Sequence, residues 1–272
     1  MDNSKYIDVN GISTHYHESG EGEPVLLIHG SGPGVTAWAN WRLIIPKLSE
    51  NFHVFAPDIV GFGYTERPED IEYGVDTWTD HLIQFIEEIG QSRVHIIGNS
   101  LGGALALHIA NKRPDLVDKM VLMGAAGLPF KMTYGLDKVW GYEPSVENMK
   151  KLLEIFAYDQ DFATDDLAEL RYQASIQPGL QEAFSKMFAE PRQEKLNQLA
   201  LPEEQIKKIN HQVLMIHGKD DIVVPFKETS LKFLELLPNS ELHVFSNCGH
   251  WTQIEKKDEF AQLCESFFLR SE

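Results

Sequence analysis

Ser100 stands in the run Gly98-Asn99-Ser100-Leu101-Gly102, a G-x-S-x-G pattern between the apolar stretch Val94-His95-Ile96-Ile97 and an Ala- and Leu-rich stretch from Gly103 to Asn111. A serine in a sharp strand-to-helix turn holds its hydroxyl clear of the sheet, above a helix N-terminus. There, unpaired N–H groups and the positive end of the helix dipole favour a developing negative charge. Glycine on either side lets such a turn close without Cβ clashes. The chemistry is nucleophilic attack on a carbonyl carbon, provided that a base, and an acid that orients it, come from elsewhere. The pattern alone also arises by chance in loops, so the other groups decide the matter.

A base and an acid follow in the order that chemistry needs. Val213-Leu214-Met215-Ile216-His217 reads as a buried strand, and Gly218 to Pro225 places Asp220 and Asp221 in the loop beyond it. Leu242-His243-Val244-Phe245 reads as a last strand and leads into Asn247-Cys248-Gly249-His250-Trp251. Asp221 is the expected acid, third after the strand-ending glycine and just before Ile-Val-Val-Pro, with Asp220 the alternative. Of the eleven histidines, His250 is the expected base because it follows the last strand beside a glycine; His29, His95, His217 and His243 lie in or at the ends of strands and read as structural. Cys248 is near the base and reads as a packing residue.

Two N–H donors would complete the site. Ser31 lies in the small-residue loop His29 to Gly34, after the apolar run Val25-Leu26-Leu27-Ile28, and Leu101 directly follows the nucleophile. Donors aimed at a developing oxyanion contribute about 3 kcal/mol each. The competing reading of the loop, a phosphate cradle, lacks both glycine-rich phosphate patterns.

The elements that must position these residues are legible as punctuation along the chain. Tyr6 to His17 predicts a hairpin turning at Asn10-Gly11. Buried-strand signals recur at Val25, His53 to Asp58, Val94, Lys119 to Gly124 and Val213, and end near Leu242, with helix-length segments between most of them. That alternation predicts an α/β protein with a mostly parallel sheet covered by helices on both faces. Serine, acid and histidine then fall outside the carboxyl ends of strands, where open sheets bind ligands, and their chain order is that of the α/β-hydrolase fold. From about Leu128 to Leu201 no strand signal occurs while apolar residues recur at helical spacing, as in Met149 to Phe156 and Leu167 to Arg171. The expected division is a first core part over 1–127, a helical cap over 128–201 and a second core part over 202–272.

Forty-one acidic against 24 basic residues give a formal charge of −17, which argues against nucleic acid and anionic membranes as partners. No apolar stretch reaches a membrane span, the first residues do not lead into a signal-peptide core, and the two cysteines fit a reducing compartment. The expectation is a cytoplasmic protein that works on a small molecule, without cofactor or metal, as a homo-oligomer of two or more chains.

Over nearly its whole length the chain resembles the meta-cleavage product hydrolases, α/β-hydrolases that split carbon–carbon bonds in ring-opened catechols. The resemblance rests on His29 to Gly34, Ala39-Asn40-Trp41, Ala56-Pro57-Asp58, Gly61-Phe62-Gly63, Gly98 to Gly103, Met123-Gly124, Phe156 to Asp159, Arg171, Gly218 to Pro225 and Cys248 to Trp251. Val139 to Tyr142 and Ala174 to Gly179 look most like the branch acting on 2-hydroxymuconic semialdehyde and its short 6-alkyl relatives. It implies that Arg171 grips the substrate carboxylate, assisted by Asn40 and Asn99, and that Gly32, Phe156 and Trp251 line the pocket. A guanidinium suits an anionic dienol acid because it can bind carboxylate in bidentate fashion. The blander readings are an Arg171 paired with Glu169 or Asp166 at the surface, an Asn99 that caps its turn, and aromatics that belong to the core.

The resemblance predicts hydrolysis of 2-hydroxy-6-oxohexa-2,4-dienoates to 2-hydroxypenta-2,4-dienoate and a short acid. A carboxylesterase shares every triad feature but has no use for Arg171. A dehalogenase or epoxide hydrolase needs a carboxylate in place of Ser100, and a non-catalytic small-molecule receptor would keep the triad as a relic.

Overall fold

The structure, a computed structural model, describes residues 4–270. Among these, β1 (Ser4–Val9), β2 (Ile12–Ser19), β3 (Glu23–Ile28), β4 (Phe52–Pro57), β5 (Val94–Asn99), β6 (Val117–Met123), β7 (Gln212–Gly218) and β8 (Ser240–Phe245) form one sheet in the order β1-β2-β4-β3-β5-β6-β7-β8. β1 and β2 pair antiparallel, β2 joins β4 antiparallel, and every other pairing is parallel. The first hairpin turns at Asn10 (φ 52°) and Gly11 (φ 85°), the two left-handed positions of the turn type that Asn-Gly favours.

The near-continuous apolar runs of the parallel strands reflect burial on both faces. Val25 and Leu27 of β3 pack with Trp41, Phe260 and Phe267, whereas Leu26 and Ile28 pack with Phe85, Ala104 and Leu107 on the other face. β5 and β7 divide in the same way, Ile96 and Met215 to one face and Ile97 and Ile216 to the other. Each such fully buried side chain contributes roughly 1.5–3 kcal/mol. The sheet grows from β3 outward to β4 and then back past β3 to β5, so the loops after β3 and β5 meet where the direction reverses.

Among the described residues six α-helices lie between β6 and β7: Tyr134–Trp140, Val146–Phe156, Asp165–Ser175, Leu180–Met187, Arg192–Gln198 and the short Glu203–Ile206. The first three are capped by Thr133, Ser145 and Thr164, whose hydroxyl oxygens accept from backbone N–H groups three residues on. Val146–Phe156 buries Met149, Leu152, Leu153, Ile155 and Phe156, a helical apolar stripe turned toward the rest of the chain.

Candidate active site

Ser100 occupies the turn from β5 into the helix Leu101–Lys112 with φ 55° and ψ −111°, a conformation that an L-residue other than glycine rarely adopts. Such a residue stores on the order of 1–3 kcal/mol and persists only where its surroundings fix it. Its N–H donates to Met123 O at 2.9 Å, and its carbonyl accepts from Gly103, Ala104 and Ala126 N–H. A Cβ at Gly98 would come within 2.4 Å of Gly102 O, and one at Gly102 within 2.2 Å of Ile28 O, so both glycines are required by close backbone approach. The amides of Ser31 and Leu101 have no acceptor among the described residues.

Asp221, in the loop after β7, has a fully buried side chain. Its Oδ1 accepts from Val223 N (2.7 Å) and Val224 N (3.0 Å), and its Oδ2 lies 2.7 Å from His250 Nδ1. Burial pushes the carboxyl up, but the charge of His250 and the hydrogen bonds from His217 and His250 outweigh it and hold Asp221 well below the usual carboxylate range. Asp220 is exposed, and among the described residues its carboxylate accepts only from Cys248 N, at 3.4 Å. His29 is tied to Gly30 O and Ile59 N, and His95 stacks on Phe268 at 4.4 Å, both within the framework. His217, grouped with them by sequence, lies 3.1 Å from Asp221 Oδ2. Burial pushes the Cys248 thiol up to about 12, which removes it as a nucleophile at neutral pH.

The histidine loop is held by the helical segment between β6 and β7. His250 N and Trp251 N both donate to Phe156 O, at 2.8 and 3.1 Å, and the Phe156 ring stacks on Trp251 at 5.0 Å and on His250 at 6.1 Å. Glu255 accepts from Tyr158 N, Asp159 N and Gly249 N, which clamps the same two segments together.

Ser31, Gly32, Asn40, Asn99, Ser100, Phe156, Arg171, His250 and Trp251 line one cavity of about 130 Å³. Asp221 lies behind His250, and Leu101 contributes its backbone at the turn. The volume is about that of four liquid waters, enough for a small organic acid. A larger open groove of about 980 Å³ lies at the opposite, N-terminal ends of the strands, and none of these residues touches it.

Arg171 belongs to the helix Asp165–Ser175 and donates to Pro33 O at 3.4 Å; neither Glu169 nor Asp166 pairs with it among the described residues. Burial and the nearby Arg42 push its guanidinium down to about 10, still charged at neutral pH. Its Nε is buried without a partner, and so is Asn99 Oδ1, although Asn99 Nδ2 donates to Asn40 Oδ1 at 3.3 Å. Unsatisfied buried polar atoms around a cavity lined by cations mark a place for an anionic, hydrogen-bonding ligand.

Two features lie beyond the sequence signals. Arg42 lines the same cavity without a carboxylate partner among the described residues, and Trp140 Nε1 donates to Ser31 Oγ at 2.9 Å, linking the helical segment to the loop after β3. Arg42 shares the stretch with Ala39-Asn40-Trp41, and only its want of a nearby acid could have singled it out.

Sheet order, strained serine and buried aspartate–histidine pair define an α/β hydrolase. The family model of the alpha/beta hydrolase fold matches residues 23–257. The chain is 52% identical over 257 residues to a 2-hydroxy-6-oxo-2,4-heptadienoate hydrolase of Pseudomonas putida F1, covering 94% of this chain and 93% of that one. It is 48% identical over 262 residues to a 2-hydroxymuconate semialdehyde hydrolase of a Pseudomonas species, strain CF600, with 96% and 92% covered. A solved meta-cleavage product hydrolase from Pseudomonas fluorescens, a serine-to-alanine variant complexed with acetates, matches with TM-score 0.97 and 54% identity over 98% of both chains. The chain belongs to the meta-cleavage product hydrolases.

Proposed function

We propose that the protein hydrolyses the C5–C6 bond of 2-hydroxy-6-oxohexa-2,4-dienoates bearing hydrogen or a short alkyl group at C6. The observation that carries this reading is the pair of guanidiniums, Arg171 and Arg42, unpaired with any carboxylate among the described residues and lining one cavity with Ser100 and His250. A neutral ester gives such cations nothing to hold. The substrate carboxylate binds at the arginines, with Asn40 and Asn99 beside it, and this places the C6 carbonyl at Ser100.

The C2 hydroxyl gives up its proton as C5 takes one, with His250 as the shuttle, which leaves the 2-oxo form. Ser100 Oγ, losing its proton to His250, then adds to C6, and the amides of Ser31 and Leu101 hold the oxyanion. As the C5–C6 bond breaks, its electron pair passes through C3–C4 onto the oxygen at C2, beside the cations. Protonation gives 2-hydroxypenta-2,4-dienoate, and water releases the short acid from Ser100. The helices over 128–201 act as the cap that closes this pocket, with Gly32, Phe156 and Trp251 as its walls. Buried free thiols support a cytoplasmic location, and the exposed aromatics Tyr6, Trp38 and Tyr64, joined through His15 and His17, support a homo-oligomer. Among the described residues no helix is long and apolar enough to cross a membrane.

Arg171→Ala tests this. On the dienoate it is expected to cost roughly 2 to 4 kcal/mol of transition-state stabilisation, measured as kcat/KM, with p-nitrophenyl acetate far less affected. Arg171→Lys restores only part, because a point charge lacks the guanidinium fork. Equal losses on both substrates would show that the variant merely disturbs the cap. The small cavity adds a second expectation. A 6-phenyl substrate should turn over roughly 10-fold or more slowly than the 6-methyl one, since overpacking costs about 1–3 kcal/mol. Equal rates would contradict it.

A further inference from the structure

Asp221 carries two histidines. His217 is the last residue but one of β7, its side chain is fully buried, and its Nε2 lies 3.1 Å from Asp221 Oδ2 and 3.1 Å from Val224 O. Its Nδ1 lies 2.7 Å from Ser230 Oγ, at the start of the helix Ser230–Leu236. Both groups at Nε2 accept, so that nitrogen carries a hydrogen, and the Ser230 hydroxyl donates to Nδ1. A neutral ring therefore satisfies every partner at once. The same carboxylate oxygen takes His250 Nδ1 at 2.7 Å, so Ser230, His217, Asp221 and His250 form one buried chain of polar contacts, in which the His217 Nε2 hydrogen is shared between Val224 O and Asp221 Oδ2.

We propose that His217 is a positioning residue that fixes the Asp221 carboxylate and limits how tightly it holds the proton of His250. The inference rests on Asp221 and His250 being the acid and base of the reaction. Four donors fill the two carboxylate oxygens, namely the amides of Val223 and Val224 on Oδ1 and the two rings on Oδ2. With the His217 donor removed, Oδ2 has a single partner, a protonated His250 is held more strongly, and the carboxylate is free to swing. The other ionisable groups around the pair among the described residues are the carboxylates of Asp220 and Glu255, which bind Cys248 N and Gly249 N, the buried Cys248 thiol beside them, and the cations Arg42 and Arg171 across the cavity. Phe226 packs edge-on against the His217 ring at 5.7 Å.

The test is the pH profile of kcat/KM on a dienoate, whose acid limb reports the base that must be deprotonated. His217→Phe is expected to lose roughly 10- to 100-fold, the factor that a hydrogen bond to a charged group corresponds to, with the acid-side fall setting in at higher pH. His217→Gln, whose Nε2 reaches the same place, should recover most of the rate and the wild-type profile. Nitrogen NMR of the wild-type ring, expected to show Nε2 protonated and Nδ1 not, decides the matter if the phenylalanine variant does not fold. A folded His217→Phe variant with unchanged rate and profile, or a wild-type ring with bare Nε2, would overturn the proposal. If Ser100→Ala is inactive in the same assays, that outcome leaves the triad standing; if it is active, the triad itself falls.

Discussion

Ser100→Ala is expected to lower dienoate turnover by roughly 10³-fold or more while the melting temperature stays near that of the wild type. The loss is large because nucleophile, base and acid act as one unit, so removing any member forfeits nearly the whole of their contribution. The fold survives because the serine side chain supports nothing in the framework: the turn is held by the backbone of Ser100, Met123 and Ala126 and by the close approach at Gly98 and Gly102. Alanine adopts the same strained backbone at similar cost. A variant that hydrolyses the dienoate at near wild-type rates would remove the nucleophile from the account.

Asp221→Asn is expected to reduce kcat by on the order of 10⁴-fold, and Asp220→Asn by no more than a few-fold. The asparagine carbonyl can still accept from Val223 and Val224, which leaves its amide facing His250. Nδ1 of His250 must then accept, Nε2 carries the hydrogen, and the ring can no longer take the serine proton. The same amide meets the Nε2 hydrogen of His217, a clash of two donors that loosens the loop further. Asp220 is exposed and touches neither ring, so its amide changes little. Steady-state kinetics on the two variants decide it, and the reverse ranking would transfer the role to Asp220.

The strands were legible in the sequence because burial on both faces of a parallel sheet writes itself as unbroken runs such as Val25 to Ile28 and Val213 to Ile216, each followed by a small-residue loop. The turn holding Ser100 was legible because its glycines answer a local steric demand. His217 was not, since its partner depends on how the Asp221 loop folds back over the strand end. The grip of Phe156 O on His250 was equally hidden because a backbone carbonyl carries no side-chain signature, and that of Trp140 on Ser31 because, like the first, it spans over 90 residues of sequence. Arg171 was reached through family resemblance alone. Nothing local distinguishes it from a surface arginine near Glu169, and only the packing of its helix against the Pro33 loop does.

The central claim is cleavage of a carbon–carbon bond in an anionic dienol acid held by Arg171 and attacked through Ser100. It is tested most directly by mixing the purified protein with the 6-methyl dienoate, following the loss of the yellow dienolate absorbance and identifying the products. Rapid bleaching is expected, with one equivalent each of 2-hydroxypenta-2,4-dienoate and acetic acid, and with p-nitrophenyl acetate a far poorer substrate. An unbleached dienolate beside brisk ester hydrolysis would contradict it.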